Sequence, residues 1–327
     1  MRNKKILVFD TNIWISLISN SNKYNKEYLN ILKKQYEFGI FNMSLIEFFM
    51  RFKREKKIFK IKEIIKYIHN NNIYVGKIEC PNFEINVDNF YFLISKSDEE
   101  LIKEIDKLQN ERIRFKSSVI SLWIQNIIEL LYIAILEDKS NEKDIENIFM
   151  MSNNQLKSIY NKLFEYFNNL ENEEKVRSKN ILDIVNKIYK EIFYSIDIKK
   201  LNYNEKVYNN IKLQIENLTE IQSVSYIYKG IYKNDFMNLY INRINKSLKR
   251  IFNNEIFSKI YLMRLESFMQ GEPLQRNDVE DMLMLSTKEL DVYNRMIIVT
   301  KDKKMKSFLK KINENDGEEI YKKLFSE

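Results

Sequence analysis

The sequence predicts an α/β protein in which a parallel sheet flanked by helices is interrupted by a large all-α insertion. Three observations predict it. Strand-like and helix-like runs alternate over 1–80; helical periodicity then continues almost unbroken from 98 to about 253; and a strand followed by an amphipathic helix returns near 296–312.

Ile6–Phe9 is an apolar, β-prone run of the kind that makes a fully buried strand. It stops on Asp10, and Thr11 or Asn12 is placed to cap a helix beginning at Ile13. The spacing of Tyr28, Leu29, Leu32 and Tyr36 predicts a helix over 28–36. Gly39 then punctuates, and 40–45 reads as a second strand. Ser44 is placed to cap a helix starting near Ile46 and running past Lys60, with Glu47 in the first turn, where a carboxylate suits the helix dipole. A short helix over 62–69, an Asn-rich turn and a third strand over 73–78 complete the first α/β stretch.

Cys80-Pro81 marks a break. Ser97 with Glu100 three residues on is a capping-box signature. Helices are expected over 98–137, 141–151, 154–170 and 173–194, with two or three more to 253, because apolar residues such as Leu163, Phe164 and Phe167, or Ile184, Ile188 and Ile192, recur at three and four. Gly271-Glu272-Pro273 is the second break, after a helix over 257–269. Asn277 or Asp278 caps a further helix, Met296 to Thr300 forms a second buried strand ending on Lys301-Asp302, and a helix over 305–312 follows. The domains so expected are 1–80, 81–255 and 256–327, the first and last being halves of one α/β domain.

Composition excludes several chemistries. With one cysteine, Cys80, the chain has no disulfide framework or cysteine-based zinc cluster; with one histidine, His69, it has no histidine-rich metal site and is poorly suited to a Ser-His-Asp triad. The N-terminal apolar run is too short for a signal peptide. The richest apolar window, 119–136, carries Gln125, Asn126 and Glu129, which are expensive in lipid, so a buried helix, no membrane partner and cytoplasmic residence are expected. Charge is uneven: 1–80 holds 16 Lys and Arg against 7 Asp and Glu, while the whole chain is +8. The excess cations therefore lie in the segment bearing Asp10, which suggests an anionic polymer, with nucleic acid the first candidate.

The acids form the most informative pattern. In a parallel sheet, strands ending in Asp10 and Asp302 deliver their carboxylates to one edge, where ligands of open α/β sheets bind. Glu47 opens the helix after the second strand, and Asp281 opens the helix before the last strand. Clustered carboxylates need a cation among them, and oxygen-only ligands favour Mg²⁺ or Mn²⁺. Two such ions activate water and stabilise the leaving oxygen of a phosphodiester.

FDTN at Phe9–Asn12, SLIE at Ser44–Glu47, NDVED at Asn277–Asp281 and IIVTKD at Ile297–Asp302 resemble the four motifs of the PIN-domain ribonucleases, over 1–80 and 271–315. The resemblance implies a PIN-like α/β/α nuclease that cuts RNA with divalent metal. It implies Asp10, Glu47, Asp281 and Asp302 as the catalytic and metal-holding quartet, with Asn12 orienting a ligand or water and Thr300 supporting through its hydroxyl. Asp278 competes with Asp281, since three residues apart both lie on one helix face; the spacing to the next apolar run favours Asp281. The fourth motif departs in carrying Lys301 and Lys303 on either side of Asp302.

Arg51 and Arg54 share the helical face of Glu47 and, with Lys53 and Lys57, are expected to hold flanking RNA phosphates. The insertion is expected to recognise substrate, bind a protein partner or mediate self-association. The alternatives are a helical interaction scaffold carrying an inactive PIN-like domain, or a related DNA nuclease.

Overall fold

Strand β1, Ile6–Phe9, is buried throughout and lies between two parallel neighbours. It belongs to a computed structural model that describes residues 4–18, 24–76, 78–80, 83–85, 90–137, 139–172, 180–195, 197–217, 235–252, 255–269, 296–311 and 317–325. The chain is α/β. Helices α1 (Thr11–Ile18) and α2 (Lys26–Gln35) lead to β2 (Glu37–Phe41); α3 (Asn42–Arg54) and α4 (Ile58–Asn70) lead to β3 (Tyr74–Gly76). A two-stranded antiparallel ribbon, β4 (Ile78–Cys80) with β5 (Phe83–Ile85), follows. The described helices α5 (Asp98–Ala134), α6 (Glu142–Asn172), α7 (Asn180–Ser195), α8 (Glu205–Asn217), α9 (Asp235–Phe252) and α10 (Glu255–Met269) precede β6 (Met296–Val299), α11 (Lys303–Lys311) and α12 (Gly317–Phe325).

The sheet is wholly parallel, in the order β3-β2-β1-β6. Phe9 stands opposite both Ile40 and Val299, so β1, β2 and β6 reach their carboxyl ends almost in step. Parallel pairing needs crossovers, and helices supply them. Apolar burial drives the assembly: Phe9 meets Trp14 and Phe38 edge-to-face at 5.4 and 5.2 Å, and each such fully buried side chain contributes roughly 1.5–3 kcal/mol.

The structure divides into two compact units: Met1–Arg112 with Leu248–Ile260 and Glu280–Glu327, and Ile113–Ser247 with Tyr261–Val279. The first contains the sheet. In it, α12 lies so close to β6 that a Cβ on Gly317 would stand 1.9 Å from the Ile298 carbonyl oxygen.

The second unit is helical, and its core is partly polar. Helix α5 is long and apolar enough to cross a membrane by length and composition, but 78% of its most apolar window is buried inside the protein. Its buried Glu129 accepts hydrogen bonds from Gln125 Nε2 at 2.8 Å, from Tyr240 Oη at 2.8 Å and from the Ser152 hydroxyl. The Tyr240 hydroxyl also lies 2.9 Å from the Asn126 carbonyl, and Asn126 Nδ2 donates to Tyr261 Oη at 2.7 Å.

Several local expectations are corrected. Asp10 itself, rather than Thr11 or Asn12, caps α1: its Oδ1 accepts from Ile13 N at 2.9 Å. Gly39 lies inside β2, which ends at Phe41, and Ser44 lies within α3 rather than before it. The helix expected to run past Lys60 is two helices. Lys56 adopts φ 56°, Lys56 N donates to Lys53 O and Lys57 N to Phe52 O, a Schellman ending that closes α3. Asn72, at φ 50°, ends α4 the same way. The third strand of the sheet is β3, Tyr74–Gly76, and Ile78 belongs instead to the two-stranded ribbon. The helices expected over 141–151 and 154–170 are one, α6, because Ser152 spends its hydroxyl on Phe149 O and Glu129 instead of capping a new turn. The Ser97–Glu100 capping box is borne out: Ser97 N donates to Glu100 Oε2 at 3.0 Å and Glu100 N to Ser97 Oγ at 3.3 Å.

Two outcomes are expected. Gly317→Ala forces α12 off β6 and lowers stability by about 1–3 kcal/mol in chemical denaturation, the usual cost of overpacking. Burial, opposed by its three hydrogen bonds, holds the Glu129 carboxyl above its usual range of about 4.5. A raised folded-state value means tighter proton binding in the native state, so this stability is complete below about 4.5 and is lost as pH rises through the folded value. Glu129→Gln removes that component of the pH slope, read by urea unfolding at pH 5 and pH 8.

Candidate active site

The site begins where β1 ends. Asp10 N still donates to Val299 O at 3.0 Å, a last rung between β1 and β6, while Asp10 O accepts from Trp14 N at 3.0 Å and opens α1. Its backbone is thus fixed on both sides. The side chain is 5% exposed. Oδ1 caps α1, and Oδ2 accepts from Thr300 Oγ1 at 2.6 Å and Lys301 N at 3.1 Å. All three donors are neutral, and among the described residues no cation pairs with this carboxylate.

Thr300, 2% exposed, is one residue beyond β6 as Asp10 is one residue beyond β1. Parallel register therefore puts them side by side. The Thr300 hydroxyl donates to Asp10 and accepts from Asp302 N at 2.9 Å. Asp302 then caps α11, its Oδ1 accepting from Met305 N at 2.8 Å and its carbonyl from Lys306 N at 3.0 Å. One hydroxyl thus separates the Asp10 carboxylate from the Asp302 backbone, although the two residues lie at opposite ends of the sequence.

Glu47 joins from the other side. It is exposed on α3, and Thr11 Oγ1 lies 3.2 Å from its Oε2 and 2.9 Å from the buried Ser44 Oγ. Because Thr11 follows Asp10 directly, α1 and α3 meet at the same sheet edge as the other two acids. Thr11 and Ser44 are the residues whose linking role sequence reasoning missed. Both stood inside the FDTN and SLIE motifs, where each reads as a helix cap.

Asn12 is exposed on α1, and its carbonyl accepts from Ser16 Oγ at 3.1 Å. Asp278 and Asp281 lie outside the described residues. Asp10, Glu47 and Asp302 are linked through hydroxyls, and among the described residues no three acidic, histidine or cysteine side chains gather into a metal-holding group. As donors the three are oxygen-only, which is the chemistry hard divalent cations take.

Against known proteins, the chain matches no family model, no curated protein and no solved structure.

The cations of α3 and of the turn after it are largely engaged. Arg51 Nε donates to Glu55 Oε1 at 3.1 Å rather than pairing with Glu47, and Lys57 Nζ meets Glu55 Oε2 at 2.9 Å. Hydrogen bonds from Lys57, then Arg51, hold the exposed Glu55 carboxyl below its ordinary range. Lys53 pairs with Asp106. Arg54 is exposed and, among the described residues, makes no ion pair.

Thr300→Val deletes the hydroxyl and leaves the Asp10 carboxylate and the Asp302 N–H each short of a partner. It is expected to cost about 1–3 kcal/mol of stability, with Thr300→Ser close to the parent, as read by thermal and urea unfolding.

Proposed function

We propose that this chain is a metal-dependent endoribonuclease built on a PIN-like domain divided by a helical insertion. The observation that carries the reading is the hydrogen-bonded series Glu47, Thr11-Asp10, Thr300, Asp302 at the carboxyl edge of a parallel sheet. Residues far apart in sequence arrive there with rotamers already fixed, as a reactive site requires.

Asp10, Glu47 and Asp302, with Asp281, would hold Mg²⁺ or Mn²⁺. Bound there, such an ion supplies a water nucleophile at neutral pH and charge neutralisation at the phosphodiester. The protein's own part is positional. Thr300 and Lys301 N lock Asp10 from one side and the first turn of α1 from the other. Thr11 ties Glu47 to that turn. Asn12, exposed and two residues past Asp10, orients a ligand or water. Arg51, Arg54 and Lys53 on α3, with Lys57 in the turn after it, line the path of the RNA; Arg54 is ready to meet a phosphate, and the others exchange Glu55 or Asp106 for one.

A second reading is a helical interaction scaffold carrying an inactive PIN-like domain. The observation favouring it is that hydroxyls, rather than direct carboxylate contacts, join the described acids. A DNA nuclease of related architecture is the third.

Incubating the purified protein with labelled RNA and DNA, in Mn²⁺ or EDTA, separates the three. The endoribonuclease cuts RNA internally in Mn²⁺ and is silent in EDTA. Asp10→Asn or Asp302→Asn lowers the rate by about 10²-fold or more, by analogy with losing one electrostatic stabiliser. Mn²⁺ raises the melting temperature of the parent but not of Asp10→Asn. Wild-type rates in both variants would overturn the reading.

A further inference from the structure

Helix α11 breaks a local rule at the place where the proposed site lies. It holds five lysines in nine residues and no acid in its first turn, and it starts with Lys303 directly after Asp302. Cations at a helix N-terminus oppose the dipole. A local rule broken without evident structural gain points to function.

The lysines differ in what surrounds them. Lys306 Nζ stands over the Tyr321 ring, 4.3 Å from its centroid. Lys306 and Lys310 also add, after the dominant pairing with Lys322, to the field that lowers the Glu318 carboxyl. Lys301 and Lys303 are different. Both are exposed, and among the described residues neither makes an ion pair. The backbone N–H of Lys301 is bonded to Asp10 Oδ2, so its Cα is pinned beside the buried carboxylate while its ammonium stays in solvent. Lys303 follows the N-cap Asp302. The two cations follow the carboxyl end of β6 and, unlike Arg51 and Lys53 on α3 and Lys57 just after it, have no acid to exchange among the described residues.

We propose that Lys301 and Lys303 are substrate-positioning residues that clamp the phosphates adjoining the scissile one, so that the site takes an extended polyanionic strand rather than a single nucleotide. The inference rests on the nuclease reading. Lysine acts on phosphate as a point charge without reading bases, so the clamp contributes affinity and register and no sequence preference.

The test measures binding of full-length Asp10→Asn protein to a short single-stranded RNA across a range of KCl concentrations, with and without Lys301→Ala and Lys303→Ala. Each lost phosphate contact lowers the slope of log affinity against log salt by about 0.7, so the pair lowers it by about 1.4. Affinity falls about tenfold at low salt, and the gap narrows as salt rises. Lys301→Arg with Lys303→Arg restores the slope. With Asp10 intact, the alanine pair raises KM for the strand and leaves kcat nearly unchanged, whereas lysines that only neutralise the neighbouring carboxylates leave the salt slope unmoved. If the parent cleaves RNA and the alanine pair keeps its slope and KM, the clamp is wrong and the nuclease reading stands. If the parent cleaves neither RNA nor DNA in Mg²⁺ or Mn²⁺, the nuclease reading falls and takes the clamp with it.

Discussion

One buried hydroxyl joins the two ends of this sequence. Thr300 Oγ1 gives its proton to Asp10 and receives one from the Asp302 backbone, and without it a desolvated carboxylate and the first turn of α11 would each lose a partner. The bond is possible because β1 and β6 are paired in parallel and in step, so the residue after each strand arrives at the same height. Register, more than any single contact, determines which side chains share the edge. A shift of one residue would replace Thr300 with Val299 or Lys301, neither of which has a hydroxyl.

The strands that matter most were the most legible. Ile6–Phe9 and 296–299 are continuous apolar runs, and buried parallel strands have that composition because both faces are covered. Asp10 stands out because it ends such a run with a charge, and Asp302 because it follows one after Thr300 and Lys301. Helix boundaries were less legible. Nothing in Glu55-Lys56-Lys57 announces a left-handed residue, since the turn is closed by main-chain bonds that most side chains allow. The Ser152-Asn153 pair misled for the opposite reason: residues that favour turns in isolation found partners across the helical unit and stayed in a helix. Thr11 and Ser44 read as caps because capping is local, and sequence is informative about local partners. Their actual bond spans thirty-three residues and depends on where α3 comes to lie.

Carboxylates are handled alike in the sheet-containing and the helical unit. Asp10 and Glu129 are both buried, and each is held mainly by neutral hydroxyl or amide donors rather than by a buried cation. Neutral donors bring no second charge to desolvate, and they fix orientation at less cost than a buried ion pair. At the surface Arg51 and Lys57 share one exposed acid, while among the described residues Lys301 and Lys303 pair with none.

The β1–β6 pairing also has a consequence for the order of events during synthesis. Ile6 and Met296 are neighbours across the ladder, so the sheet's central strand emerges from the ribosome long before one of its two partners has been translated. Closing so long a loop is an entropic barrier before any contact rewards it, and topologies of this kind fold slowly. Until then β1 has one unpaired side and Asp10 lacks Thr300. The nascent chain therefore passes through an interval in which its acidic edge is unassembled, and that edge is completed only once β6 has been made.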